Sequence, residues 1–76
     1  MYQIVRNDDE IFMAESEFRA IMAAPHYNKG WWVVMEGEKG PDGDAIFKNL
    51  SYHVSFFSAR KMARRIVAMG EAFFRD

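Results

Sequence analysis

The sequence predicts an α+β fold: an antiparallel sheet of four to five strands in two hairpins, with a short helix and a long C-terminal amphipathic helix packed on one face. Two turn-forming clusters, Asn7-Asp8-Asp9 and Gly37 to Asp44, each separate runs rich in β-branched and aromatic residues, the pattern of a hairpin. The last 20 residues place apolar and charged side chains on opposite sides at helical spacing. With 76 residues, half of them apolar, and a net charge of −1, the chain is too hydrophobic and too near neutral for disorder. Its length predicts a single domain over residues 1–76.

Tyr2 to Arg6 reads as a strand that turns at Asn7-Asp8-Asp9 and returns over residues 10–14. A rival reading stands beside it. Asn7 caps one helix over residues 8–24, with Glu10 three residues on and Ile11, Ala14, Phe18, Ile21 and Met22 along one face. In the hairpin reading Ser16 is the N-cap of the short helix, and Phe18, Ile21 and Met22 are its apolar stripe. Pro25 ends it, because proline disfavours helical geometry in the residue before it. His26 to Gly30 is a loop, and Trp31 to Glu36 is the strongest strand in the chain. Pro41 then fixes φ at the first corner of a turn and Gly43 accepts positive φ, so that Ala45 to Asn49 returns as the partner strand. Leu50, Tyr52 and Val54 alternate with Ser51, His53 and Ser55; this stretch either extends the strand or starts another after a break near Asn49.

Ser55 or Ser58 caps the final helix. With Arg60 at zero, Phe56, Ala59, Met62, Ala63, Ile66, Val67, Met69, Phe73 and Phe74 fall between about 180° and 340°. Arg60, Lys61, Arg64, Arg65, Glu71 and Arg75 fall between about 0° and 140°. Gly70 lies within the apolar arc. It implies either a close approach to another backbone or a helix that ends early, since a mid-helix glycine costs about 1 kcal/mol relative to alanine.

Several function classes are disfavoured. There are no cysteines, which removes disulfides and cysteine metal clusters and fits a reducing cytoplasm. Apolar runs stop at about five or six residues, where a membrane span needs about 20, and the N-terminus does not read as a signal peptide. His26 and His53 have no partner at metal-ligand spacing, and the acids around Asp42 and Asp44 read as a hairpin tip rather than a calcium loop. No nucleophile motif occurs, and Ser16, Ser51, Ser55 and Ser58 read as caps and turns. The expectation is no catalytic residue, no metal, no cofactor and no membrane.

Charge offers more. Residues 1–44 hold nine acids against four bases, and residues 45–76 hold two acids against six bases. Either the halves neutralise each other across the fold, or the molecule presents two faces of opposite sign that steer charged partners. The acidic candidates for partner binding are Glu36, Glu38, Asp42 and Asp44. The basic candidates are Arg60, Lys61, Arg64 and Arg65, an arginine-rich patch able to bind phosphates or carboxylates. Trp31 and Trp32 point to opposite faces of their strand, Trp31 with Val33 and Met35, Trp32 with Val34. Two helices suffice to cover one face, which leaves a tryptophan on the other as an interface anchor; Trp32 is the candidate, for a protein partner or a homodimer.

Lys29 to Glu36 matches the RNA-recognition strand of the RRM family at Lys29, Gly30, Trp31 and Val34 but departs from it at Trp32, Val33 and Glu36, two of them stacking positions, and is not assigned to it. In format, by small size, absence of cysteine and lack of a catalytic constellation, the chain resembles the small regulatory proteins of phages and mobile elements, including anti-CRISPR inhibitors. The resemblance implies that the acidic stretch Glu36 to Asp44 occupies a basic nucleic-acid channel on a target protein. Nucleic-acid binding by the arginine-rich helix and a structural homodimer through Trp32 are the competing expectations.

Overall fold

The computed structural model describes residues 1–42 and 44–70. Among them the chain forms strands β1 (Gln3–Asn7), β2 (Phe12–Glu15), β3 (Arg19–Pro25), β4 (Trp32–Lys39) and β5 (Ala45–His53), then helix α1 (Phe56–Met69). The sheet order is β1-β2-β3-β4-β5, and every neighbouring pair is antiparallel. The α+β class and the helix on one face are as expected. The two separate hairpins and the short helix are not: the strands form one continuous meander, and α1 is the only helix among the described residues.

The correction falls on residues 16–25. Ser16 does accept a backbone N–H three residues on, the bond an N-cap makes, but here Arg19 N–H to Ser16 Oγ (3.1 Å) joins Ser16 N–H to Arg19 O (2.8 Å) in closing a tight turn. Beyond it, Arg19, Ile21 and Ala23 alternate with Ala20, Met22 and Ala24, a mostly apolar run compatible with either period. Pairing on both edges, with β2 and with β4, satisfies its backbone groups and decides for strand. The single-helix reading of residues 8–24 fails for the same reason. Asp8 instead ties its turn, its carboxylate accepting the N–H groups of Glu10 (2.8 Å) and Ile11 (2.9 Å).

The break expected near Asn49 is an irregularity within β5. Val34 pairs with Ser51 and Met35 with Asn49, so Leu50 is the extra residue, and it packs against the core. Ser55 is the cap of α1, accepting from Ser58 N–H at 3.1 Å. Gly70 ends the helix with φ 60°, its N–H donating to the carbonyls of Ile66 and Val67; of the two readings of this glycine, the early end holds. The placements of Glu71, Phe73, Phe74 and Arg75 on that helix, and the positive φ expected of Gly43, lie outside the described residues.

The core sits between α1 and one face of the sheet. Phe12, Ala14, Ile21, Ala23 and Val34 from the strands meet Ala59, Ala63 and Ile66 from the helix. Alanines on both sides, with Ala59 and Ala63 one turn apart, let the helix approach the sheet closely and leave the volume to Phe12 and Ile21. The opposite face carries Met13, Met22 and Met35 in direct register across β2, β3 and β4. Trp32 lies on the α1 side, partly buried against the core. The face away from α1 is therefore not the one expected for Trp32: it carries the half-buried methionine row, and the exposed Trp31 stands before β4.

Candidate functional site

The end of the β4–β5 hairpin gathers the acidic candidates. Glu36 and Glu38 are two apart in β4 and so project to one side of it, where Lys48 and Ile46 of β5 stand opposite them. The turn beyond is closed by Gly40 N–H to Asp44 O at 2.7 Å. Together with Asp42 and Asp44 these residues line a cleft of about 580 Å³. Lys39 braces the hairpin, its Nζ donating to Ser16 O at 3.0 Å and its N–H to Phe18 O at 2.8 Å. Gly37 lets the Phe47 ring lie against β4, because a side chain at 37 would occupy the place of the ring.

Glu36 differs from the other three acids. It is only 6 % exposed, whereas Glu38, Asp42 and Asp44 face solvent. Its Oε1 meets Lys48 Nζ at 3.1 Å, and its buried Oε2 has no hydrogen-bond partner among the described residues. A buried acceptor left unpaired costs about 1–3 kcal/mol, so the arrangement is one the isolated fold would not select for stability. Lys48 does not seal the site: its side chain is 72 % exposed. Glu38 is held at 3.7 Å by Arg19, while Asp42 and Asp44 form no ion pair with another described residue. The cleft thus keeps an excess of negative charge around one dehydrated carboxylate.

The basic candidates are elsewhere. Arg60, Lys61 and Arg64, with the exposed ring of Phe57, line a groove of about 330 Å³ on the outer side of α1, and Arg65 lies beside them on the helix. The Arg60 guanidinium stands 5.1 Å from the centroid of the Phe56 ring. None of these four bases forms an ion pair with a described acid. Among the described residues, Arg6–Asp8, Arg19–Glu38 and Lys39–Glu15 pair within residues 1–44, and Lys48–Glu36 joins the acidic and basic halves of the chain. Among the described residues, the acidic cleft and the basic groove are thus lined by different side chains.

His53 has neighbours that the sequence did not connect. Its Nε2 lies 2.8 Å from Ser51 Oγ and its Nδ1 2.8 Å from Ser58 Oγ, so both ring nitrogens are engaged by hydroxyls and β5 is tied to the first turn of α1. Ser51 and His53 were legible as neighbours on one strand face; Ser58 joins them only once the helix folds back. His26 accepts from Asn28 N–H in its loop and packs edge-on to Tyr52. No group of three or more acids, histidines or cysteines among the described residues is arranged to hold a metal ion. No helix among them is long and apolar enough to cross a membrane. No protein-family model, no curated protein and no solved structure matches the chain.

Proposed function

We propose that this protein is a non-enzymatic protein-binding module that engages a basic surface of its partner through the cleft at the β4–β5 hairpin. The observation that carries the reading is Glu36: a buried carboxylate with one oxygen unpartnered, on the wall of a cleft ringed by three further acids. Lys48 meets one oxygen of Glu36 and Lys39 also lines the cleft, but Oε2 has no donor among the described residues, so the site gains from a further cationic group. The excess of carboxylates steers a basic surface toward it and sets the orientation of docking. Where that surface is one that handles nucleic acid, the cleft competes with phosphate for the same arginines and lysines. The protein then acts as an inhibitor of the anti-CRISPR kind, inside the cytoplasm.

The test compares the intact protein with an Asp42→Lys/Asp44→Lys variant as bait in capture experiments from cell extract at several salt concentrations. At least one protein is retained by the first, lost from the second and released as salt rises. An identical retained set for both baits overturns the reading.

A second reading rests on the α1 groove, where Phe57 offers a stacking surface beside Arg60, Lys61 and Arg64. In that case filter binding of single-stranded nucleic acid weakens steeply with salt, and Arg60→Glu/Arg64→Glu abolishes it while the hairpin variant does not.

A further inference from the structure

We infer that the β4–β5 cleft is a receptor for a single arginine side chain, presented by a partner protein and bound through Glu36. This rests on the reading just given and narrows it to a chemistry. The buried Oε2 of Glu36 is an acceptor without a donor, so the group that completes the site must bring an N–H or O–H. A bare metal ion does not meet that need, since among the described residues the cleft acids do not converge into a coordinating set. Oε1 is already held by the ammonium of Lys48 at 3.1 Å. An incoming ammonium is a compact, strongly hydrated point charge that would repeat what Lys48 already does and gain little by displacing it. A guanidinium is more weakly hydrated, and its planar fork presents directed N–H donors.

The rest of the cleft suits the same ligand. Ile46 and Pro41 line it and are exposed, an apolar surface for the methylene stem of arginine. Asp42 and Asp44, free of ion pairs with described residues, are placed to take the outward N–H groups. Lys48 acts as an internal competitor. It occupies one oxygen of Glu36 while its own chain stays largely in solvent, so it can swing aside and leave a bidentate carboxylate for the incoming fork.

The experiment titrates the full chain with N-acetyl-arginine amide and, separately, N-acetyl-lysine amide, following backbone amide shifts by NMR. The arginine probe moves the signals of residues 36–48 and binds about 10-fold more tightly than the lysine probe. Glu36→Gln weakens the arginine probe by about 10-fold, and Lys48→Met strengthens it by removing the competitor. Equal binding of the two probes overturns the inference, as does full affinity in Glu36→Gln. Should Glu36→Gln not fold, Lys48→Met decides alone, and unchanged or weaker binding there overturns it. Sedimentation of the intact chain over a concentration series tests the source. A monomer throughout supports a foreign partner, whereas self-association lost in Arg64→Glu/Arg65→Glu overturns that assignment in favour of a second copy. The probe titrations can fail while the Asp42→Lys/Asp44→Lys bait still loses its partner, so failure here is distinct from failure of the broader reading.

Discussion

Replacing Gly37 by alanine tests how the hairpin holds the cleft in shape. Gly37 pairs with Phe47 across β4 and β5, each next in sequence to one member of the Glu36–Lys48 pair. A Cβ at position 37 would stand 2.9 Å from Cδ1 and Cε1 of Phe47 and 3.1 Å from Cζ. Carbon atoms rest at about 3.5–4.0 Å, so the ring must retreat by roughly half an ångström or more, or swing into solvent. Overpacking of this kind costs about 1–3 kcal/mol. Against it stands a gain of about 0.4–1 kcal/mol, because the unfolded chain loses freedom when glycine becomes alanine. That gain applies here since Gly37 is not among the described glycines of positive φ, which are Gly30 and Gly70. The net is a loss centred near about 1.3 kcal/mol and reaching about 2.6 kcal/mol, or a central fall of about 5–10 °C in the melting midpoint of so small a domain. Thermal unfolding followed by circular dichroism measures it. In a Phe47→Ala background the clash is gone, and the same substitution raises stability by about 0.4–1 kcal/mol. A fall of equal size in both backgrounds, or none in the parent chain, would refute the reasoning.

Two further outcomes are expected. The Asp8 carboxyl, which accepts from the Ile11 and Glu10 N–H groups and pairs with Arg6, is lowered from 3.8 to about 2. A folded pKa below the unfolded one means that its contribution is complete above about pH 4 and fades as the pH falls toward 2. A carbon-detected NMR titration should place its midpoint near 2, still well below 3.8 in Arg6→Ala because the backbone bonds dominate; a midpoint at 3.8 in the parent would contradict this. Ser55→Ala removes the acceptor for Ser58 N–H and should destabilise the protein by about 1 kcal/mol in urea unfolding, whereas Ser55→Asp should retain most of the stability. Equal stability of the parent and the alanine variant would show that the cap contributes nothing.

Only part of the candidate site could be read from the residues alone. Glu36, Glu38, Asp42 and Asp44 stood out because a glycine-rich turn places them near one hairpin tip, and proximity along the chain is a local property. What distinguishes Glu36 from the other three was hidden. Its burial and its pairing with Lys48 depend on the register of β4 against β5, which the extra residue Leu50 shifts. The Ser58 arm of the His53 network was hidden for a similar reason: Ser51 and His53 share a strand face, but Ser58 comes from a helix that must first fold back across the sheet.

By itself the sequence determined the pieces whose signals are local: the pairing of β4 with β5, a serine cap narrowed to Ser55 or Ser58, and the apolar stripe of α1 up to Met69. Turn chemistry and side-chain period act over a few residues, so no distant contact is needed to settle them. Only the tertiary structure decided that Arg19–Pro25 is a strand, that Trp32 lies on the α1 side with the half-buried methionine row on the other, and that one carboxylate of four is buried. The run at 19–25 suits either period, and its backbone groups found partners on both edges only between β2 and β4. Which face of a sheet is covered is likewise set by where the last helix crosses it, a contact between residues far apart in the chain.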